Sequence, residues 1–92
     1  MPVALGFAIE SPRPNPASGA VSLAFTLRDG AATRLDVLDL SGRRVLGRDF
    51  SALGAGRHLV RLEEAASLAP GVYTLRLSQG AEARFARLCV VR

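Results

Sequence analysis

Large apolar residues recur at every second position in short runs along this chain, and Pro, Gly, Asn and Asp break the runs. In residues 20–27, Val21, Leu23, Phe25 and Leu27 share one face of an extended strand, and Ser22, Ala24 and Thr26 share the other. The same period of two sets Leu35 and Val37 against Arg34 and Asp36 in residues 33–40, and aligns Tyr73, Leu75 and Leu77 in residues 72–78. Weaker or mixed runs cover residues 3–9, 43–50, 57–63 and 83–91. In residues 57–63, His58, Val60 and Leu62 alternate with Arg57, Leu59 and Arg61, so either face could be the buried one. In residues 83–91, Leu88 and Val90 compete with Phe85, Cys89 and Val91, a conflict that a β-bulge would reconcile.

The breaks are as informative as the runs. Three prolines in "SPRPNP" (residues 11–16) remove backbone donors, so pairing is expected to stop there. "RDGA" (28–31) carries the Asp-Gly pair favoured in hairpins, which predicts that the strands on either side pair with each other. "DLSGRRV" (39–45) predicts a second hairpin, because Asp39 can accept from N–H groups two or three residues on and Gly42 can take a positive φ. A loop follows at 51–56, a single helical turn is expected near 64–71, and a last hairpin turns at Gln79-Gly80. Seven strands spaced by turn signals, with no longer helix, predict an all-β fold: one immunoglobulin-like antiparallel β-sandwich over residues 1–92.

The single tyrosine fits that fold. In immunoglobulin-like sandwiches a tyrosine near the start of the sixth strand lays its ring on the core and bonds its hydroxyl to backbone a few residues upstream. Tyr73, just after Pro70-Gly71, stands where that device belongs, and Leu68 is expected to plug the same end of the core. Phe7, Phe25, Phe50 and Phe85 are expected to be core or half-buried strand residues.

Chemistry finds few carriers. His58 lies in an alternating strand, where a structural imidazole is the better reading than a general base. Cys89 sits among Leu88, Val90 and Val91, is expected to be a buried thiol, and has no partner for an internal disulfide. One His and one Cys are too few for a transition-metal site, and Asp36, Asp39 and Asp49 lack the spacing of a calcium loop, so salt bridges and turn caps are expected of them. Glu63 and Glu64 are adjacent and so point apart, and Gly54 and Gly56 precede strand-like sequence and not a phosphate-binding helix. No catalytic residue, metal site or cofactor is expected.

Composition narrows the class further. Ninety-two residues suffice for one small core, and no apolar run approaches the length of a membrane span. All 12 basic residues are arginine, against 8 acids, but the two signs interleave along the chain. With no basic block and five aromatic rings in all, nucleic acid is not expected as a partner. The start "MPVALGFAIESP" has no basic n-region or sufficient apolar stretch for a signal peptide, so any export signal is expected elsewhere: the chain reads as a domain of a longer exported protein with Met1 an addition, or as a complete small cytoplasmic protein.

Four motifs in order, "PNPASG" (14–19), "DLSGRRV" (39–45), "LAPGVYTLRL" (68–77) and "ARLCVVR" (86–92), give the chain a resemblance. It resembles the type A C-terminal sorting domains of the bacterial type IX secretion system, over about residues 11–92. It is also similar to the immunoglobulin-like domain of flagellar hook-capping proteins, although that family's Trp-Asp-Gly stretch is missing. The first resemblance implies a non-catalytic sandwich, and the chain is expected to be a monomer and not inserted in the membrane. Such a domain is attached to an N-terminal cargo and recognised by the outer-membrane translocon, and the cargo is delivered through the periplasm to the cell surface or medium. Carried over by position, Pro14, Asn15, Pro16, Asp39, Gly42, Arg43, Gly71, Tyr73, Arg87 and Arg92 are the implied signature or recognition residues. The family's terminal basic residues are often lysines, so Arg87 and Arg92 keep the charge and change the hydrogen-bond geometry. Two other functions share the fold: an accessory module for polysaccharide or cell surface, and a structural spacer or assembly domain pairing through an edge strand.

Overall fold

A computed structural model describes residues 6–51 and 53–91. Seven strands form two antiparallel sheets. They are β1 (Ala8–Ile9), β2 (Val21–Leu27), β3 (Thr33–Leu38), β4 (Arg44–Phe50), β5 (Gly56–Leu62), β6 (Gly71–Gln79) and β7 (Glu82–Val90), and a 3₁₀ turn, Glu63–Ser67, links β5 to β6. One sheet has the order β1-β2-β5 and the other β4-β3-β6-β7, the layout of an immunoglobulin-like sandwich.

The core is the inward face of each alternating run. Val21, Leu23, Phe25 and Leu27 from β2 meet Leu35, Val37, Tyr73, Leu75, Leu77, Leu88 and Val90 from the facing sheet, and all are buried. Burying such a face stabilises the fold by roughly 1.5–3 kcal/mol per large side chain. In β5 the face that the sequence left open is settled: His58, Val60 and Leu62 turn inward and Leu59 is exposed. His58 packs its ring 5.9 Å from that of Phe25 and sets Nε2 2.8 Å from the Gly54 carbonyl oxygen, which is a structural imidazole.

Four expectations are corrected. First, β2 and β3 do not form a hairpin: β2 pairs with β1 and β5, while β3 pairs with β4 and β6, so residues 28–32 carry the chain from one sheet to the other. Local turn chemistry is nevertheless used, since the Ala31 N–H donates to Asp29 Oδ1 at 2.9 Å. The crossing is held from the far sheet by Gln79, whose amide donates to the Asp29 and Ala31 carbonyls at 3.2 and 3.1 Å. Asp-Gly describes a local reversal and contains no information about which sheet the next strand joins.

Second, β7 pairs with β6 in unbroken register from Glu82 to Val90, and the register shift in the four-stranded sheet lies instead at Val37/Leu38 beside β4. Without a bulge only one face of β7 can be buried, and Leu88 and Val90 take it. Phe85 is therefore exposed (61%), Val91 is exposed (47%), and Cys89 is half-buried where a buried thiol was expected.

Third, the proline-rich segment does not end pairing altogether: Arg13 bridges Ser22 and Ala17 bridges Val90 in parallel. Fourth, the first strand is shorter than expected, its described part pairing only at Ala8 and Ile9, while residues 1–5 lie outside the described residues.

Candidate functional site

The β3–β4 turn is built by Asp39. Its Oδ1 accepts from the Ser41 and Arg43 N–H groups at 3.0 and 2.9 Å and from the Ser41 hydroxyl at 2.7 Å, while Arg43 Nε reaches Oδ2 at 3.3 Å. The Ser41 hydroxyl first, then the Arg43 N–H, hold this carboxyl below the usual carboxylate range. Gly42 closes the turn at φ 87°, a conformation that a Cβ disfavours. Leu40, at the turn's tip, is 83% exposed.

Across a shallow cleft from this turn lies the start of β6. Asp39, Leu40 and Ser41 line one wall of that cleft and Pro70, Gly71, Val72 and Tyr73 the other. Tyr73 is buried, and its hydroxyl donates to the Ala69 carbonyl at 2.5 Å, so the expected clasp is present. Leu68 is buried beside it at the same end of the core.

The fourth and first motifs reach the same end from the other edge. Gly71 pairs with Val90 and Tyr73 with Leu88, which places the last turns of β7 next to the clasp. On the outer edge of β7 lies residues 14–17, with cis peptide bonds before Pro14 and Pro16. Neither proline has an N–H to give, and the Asn15 side chain supplies the missing pair of groups. Its Nδ2 donates to the Arg87 carbonyl and its Oδ1 accepts from the Cys89 N–H, each at 2.9 Å. Ala17 continues the ladder: its N–H donates to the Cys89 carbonyl and its carbonyl accepts from the Val91 N–H, both at 2.8 Å. An amide side chain has the donor and acceptor of a peptide group, so Asn15 acts as one residue of an added parallel strand.

Of the sequence-derived residues, then, Pro14, Asn15, Pro16, Asp39, Gly42, Arg43, Gly71, Tyr73 and Arg87 gather at one end of the sandwich, and Arg92 lies outside the described residues. Asn15, Asp39 and Tyr73 spend their polar groups on the protein's own backbone. Ala17 was not singled out by sequence reasoning. The signal that could have found it is the asparagine between two prolines, where only a side chain or the next free N–H can meet a neighbouring strand.

The acids are all engaged elsewhere. Asp36, on the outer face of the four-stranded sheet, is covered by arginines: Oδ1 accepts from Arg34 Nε at 2.9 Å, Oδ2 from Arg76 Nη2 at 3.1 Å, and Arg44 Nη1 lies 3.6 Å away. Burial would raise its pKa, but the hydrogen bonds from Arg76 and Arg34 outweigh that and hold it below the usual range. Asp49 pairs with Arg34, Glu10 with Arg57, Glu63 with Arg61, Glu64 with Arg48 and Glu82 with Arg28. The salt bridges and turn cap expected of Asp36, Asp39 and Asp49 are thus in place. Every carboxylate already has a cation or a turn N–H, and among the described residues no group of His, Cys, Asp and Glu is arranged to hold a metal ion.

No curated protein matches the chain. A family match does, and it runs over residues 13–91, from the strap before β2 to the residue after β7. That span takes in the Asn15 strap, the Asp39 turn, the Tyr73 clasp and the end of β7, so the chain belongs to the secretion system C-terminal sorting domain family.

Proposed function

We propose that this domain directs an attached N-terminal cargo through the periplasm and across the outer membrane to the cell surface. Membership of the family makes it a sorting signal for type IX secretion, and the family is not a catalytic one. The observation that carries the finer reading is convergence. Motifs spread along the chain from residue 14 to residue 91 are brought to one end of the sandwich, and a signal read by one receptor needs its elements on one surface. The translocon of the outer membrane is the partner, and residues 1–92 act as one unit.

The reading is tested by fusing the whole chain to a periplasmic reporter in a type IX-competent host. Reporter on the cell surface or in the medium is the expected result, and full retention in the periplasm would overturn it.

A further inference from the structure

The strap and the strand it covers differ in what they leave available. Asn15 commits both ends of its amide to β7, and Pro14 and Pro16 have no N–H to offer a partner. The strand shows the opposite. Because Cys89 turns its N–H and carbonyl outward to the strap, Arg87 and Cys89 occupy non-hydrogen-bonded positions against β6, and their side chains alternate away from buried Leu88 and Val90. Phe85, Arg87, Cys89 and Val91 therefore form a row on the outer face, with exposed Phe85 and Val91 at its ends. Arg87 lies between them with no ion pair or side-chain hydrogen bond among the described residues, whereas Arg28, Arg34, Arg43, Arg48, Arg57 and Arg61 each hold a carboxylate.

Resting on the sorting function proposed above, we propose that Asn15 is a positioning residue, and that the surface it positions is the row Phe85-Arg87-Val91, which docks a protein face bearing a carboxylate flanked by apolar side chains. The charge argues for that occupant. An unpaired guanidinium between two exposed apolar groups matches an acid set in an apolar surround, where the pair is partly desolvated and Arg can bind both carboxylate oxygens. The Pro-Asn-Pro motif then serves recognition through β7: without the strap's four ladder bonds, residues 87–90 have pairing on the β6 side alone, Val91 lies beyond that pairing, and the row loses its fixed spacing.

The test uses the full chain fused to a reporter in a type IX-competent host, with amide exchange measured on the purified chain. Asn15→Ala is expected to lose protection at Cys89, whose N–H donates to the Asn15 side chain, while Leu23 and Leu75 stay protected, and to lose most surface delivery. Arg87→Glu is expected to keep the exchange pattern and lose delivery, and Arg87→Lys to keep the exchange pattern and more of the delivery than Arg87→Glu, since it retains the charge but not the fork. Lost delivery in Asn15→Ala with Cys89 still protected would mean that the strap itself is read, and would overturn the proposal. Normal delivery by Arg87→Glu would overturn it as well, and that result holds even if Asn15→Ala unfolds the whole chain. Failure of the unaltered fusion to reach the surface is a different result, which removes the sorting reading and this proposal with it.

Discussion

At the scale of single residues, the side chains that matter most are those whose polar atoms replace backbone or solvent. Tyr73→Phe removes one hydrogen bond to the Ala69 carbonyl and leaves the ring in place. We expect a loss of about 1 kcal/mol, or roughly 4–8 °C in Tm for a domain of this size, with the denaturant slope unchanged. Asp36→Asn is expected to be worse, about 2 kcal/mol, because it leaves Arg34, Arg76 and Arg44 around a neutral group. Urea unfolding of both variants checks the order, and a stable Asp36→Asn would show that the arginines find other partners. Tyr73 was legible in the sequence because Pro-Gly-x-Tyr before an alternating strand has one structural use. Asp36 was legible only as an acid on the polar face of its strand: two of the arginines that cover it, Arg44 and Arg76, come from β4 and β6, and their approach depends on strand order. Phe85 was misjudged for a related reason, since a strand with apolar residues on both faces does not itself say which face its neighbours cover.

Elements are set partly by local chemistry and partly by the company each strand finds, and two glycines separate the contributions. Gly42 lies in a true hairpin at φ 87°, whereas Gly30 lies in a crossing between sheets and has no positive φ. A Cβ on Gly30 would meet the Gly54 Cα at 3.7 Å, an ordinary contact. Gly42→Ala is therefore expected to lose about 1–2 kcal/mol, and Gly30→Ala to stay within about 0.5 kcal/mol of the parent. Thermal melts of the pair decide it: equal losses would mean that residues 28–32 need hairpin geometry after all. The strand positions, the β3–β4 and β6–β7 hairpins and the 3₁₀ turn could be read along the chain because period and turn residues are local properties. The allocation of β2 and β3 to different sheets could not, because Asp-Gly specifies a bend of a few residues while the sheet is chosen by pairing with β5 and β6 far along the chain. The Asn15 strap was hidden in the same way, its partners at Arg87 and Cys89 being more than seventy residues distant.

The whole molecule is a lattice of ion pairs around an apolar core, and its pH response follows from the sign of the shifts. Glu10, Asp36, Asp39 and Glu64 all have folded-state pKa values below their ordinary ones. For Asp36, burial opposes the shift and the Arg76 and Arg34 hydrogen bonds prevail; for Glu10 and Glu64 the leading cause is the bond from Arg57 and from Arg48; for Asp39 it is the Ser41 hydroxyl. A carboxylate with a depressed folded pKa contributes stability that is fully present above its unfolded value, about 3.9 for Asp and 4.3 for Glu, and is lost as pH falls through the folded value. Stability should accordingly be flat from neutral pH down to about pH 5 and decline below about pH 4. The decline should steepen as protonation of the 8 acids leaves the 12 arginines uncompensated, because the self-repulsion of like charges adds to the loss of the pairs. Added salt should weaken the exposed pairs at neutral pH but relieve the repulsion at low pH, so its effect on the urea midpoint should change sign between the two. A midpoint that rises as the pH drops from 5 to 3, or a salt effect of one sign throughout, would show that these carboxylates are as strongly held in the unfolded chain as in the folded one.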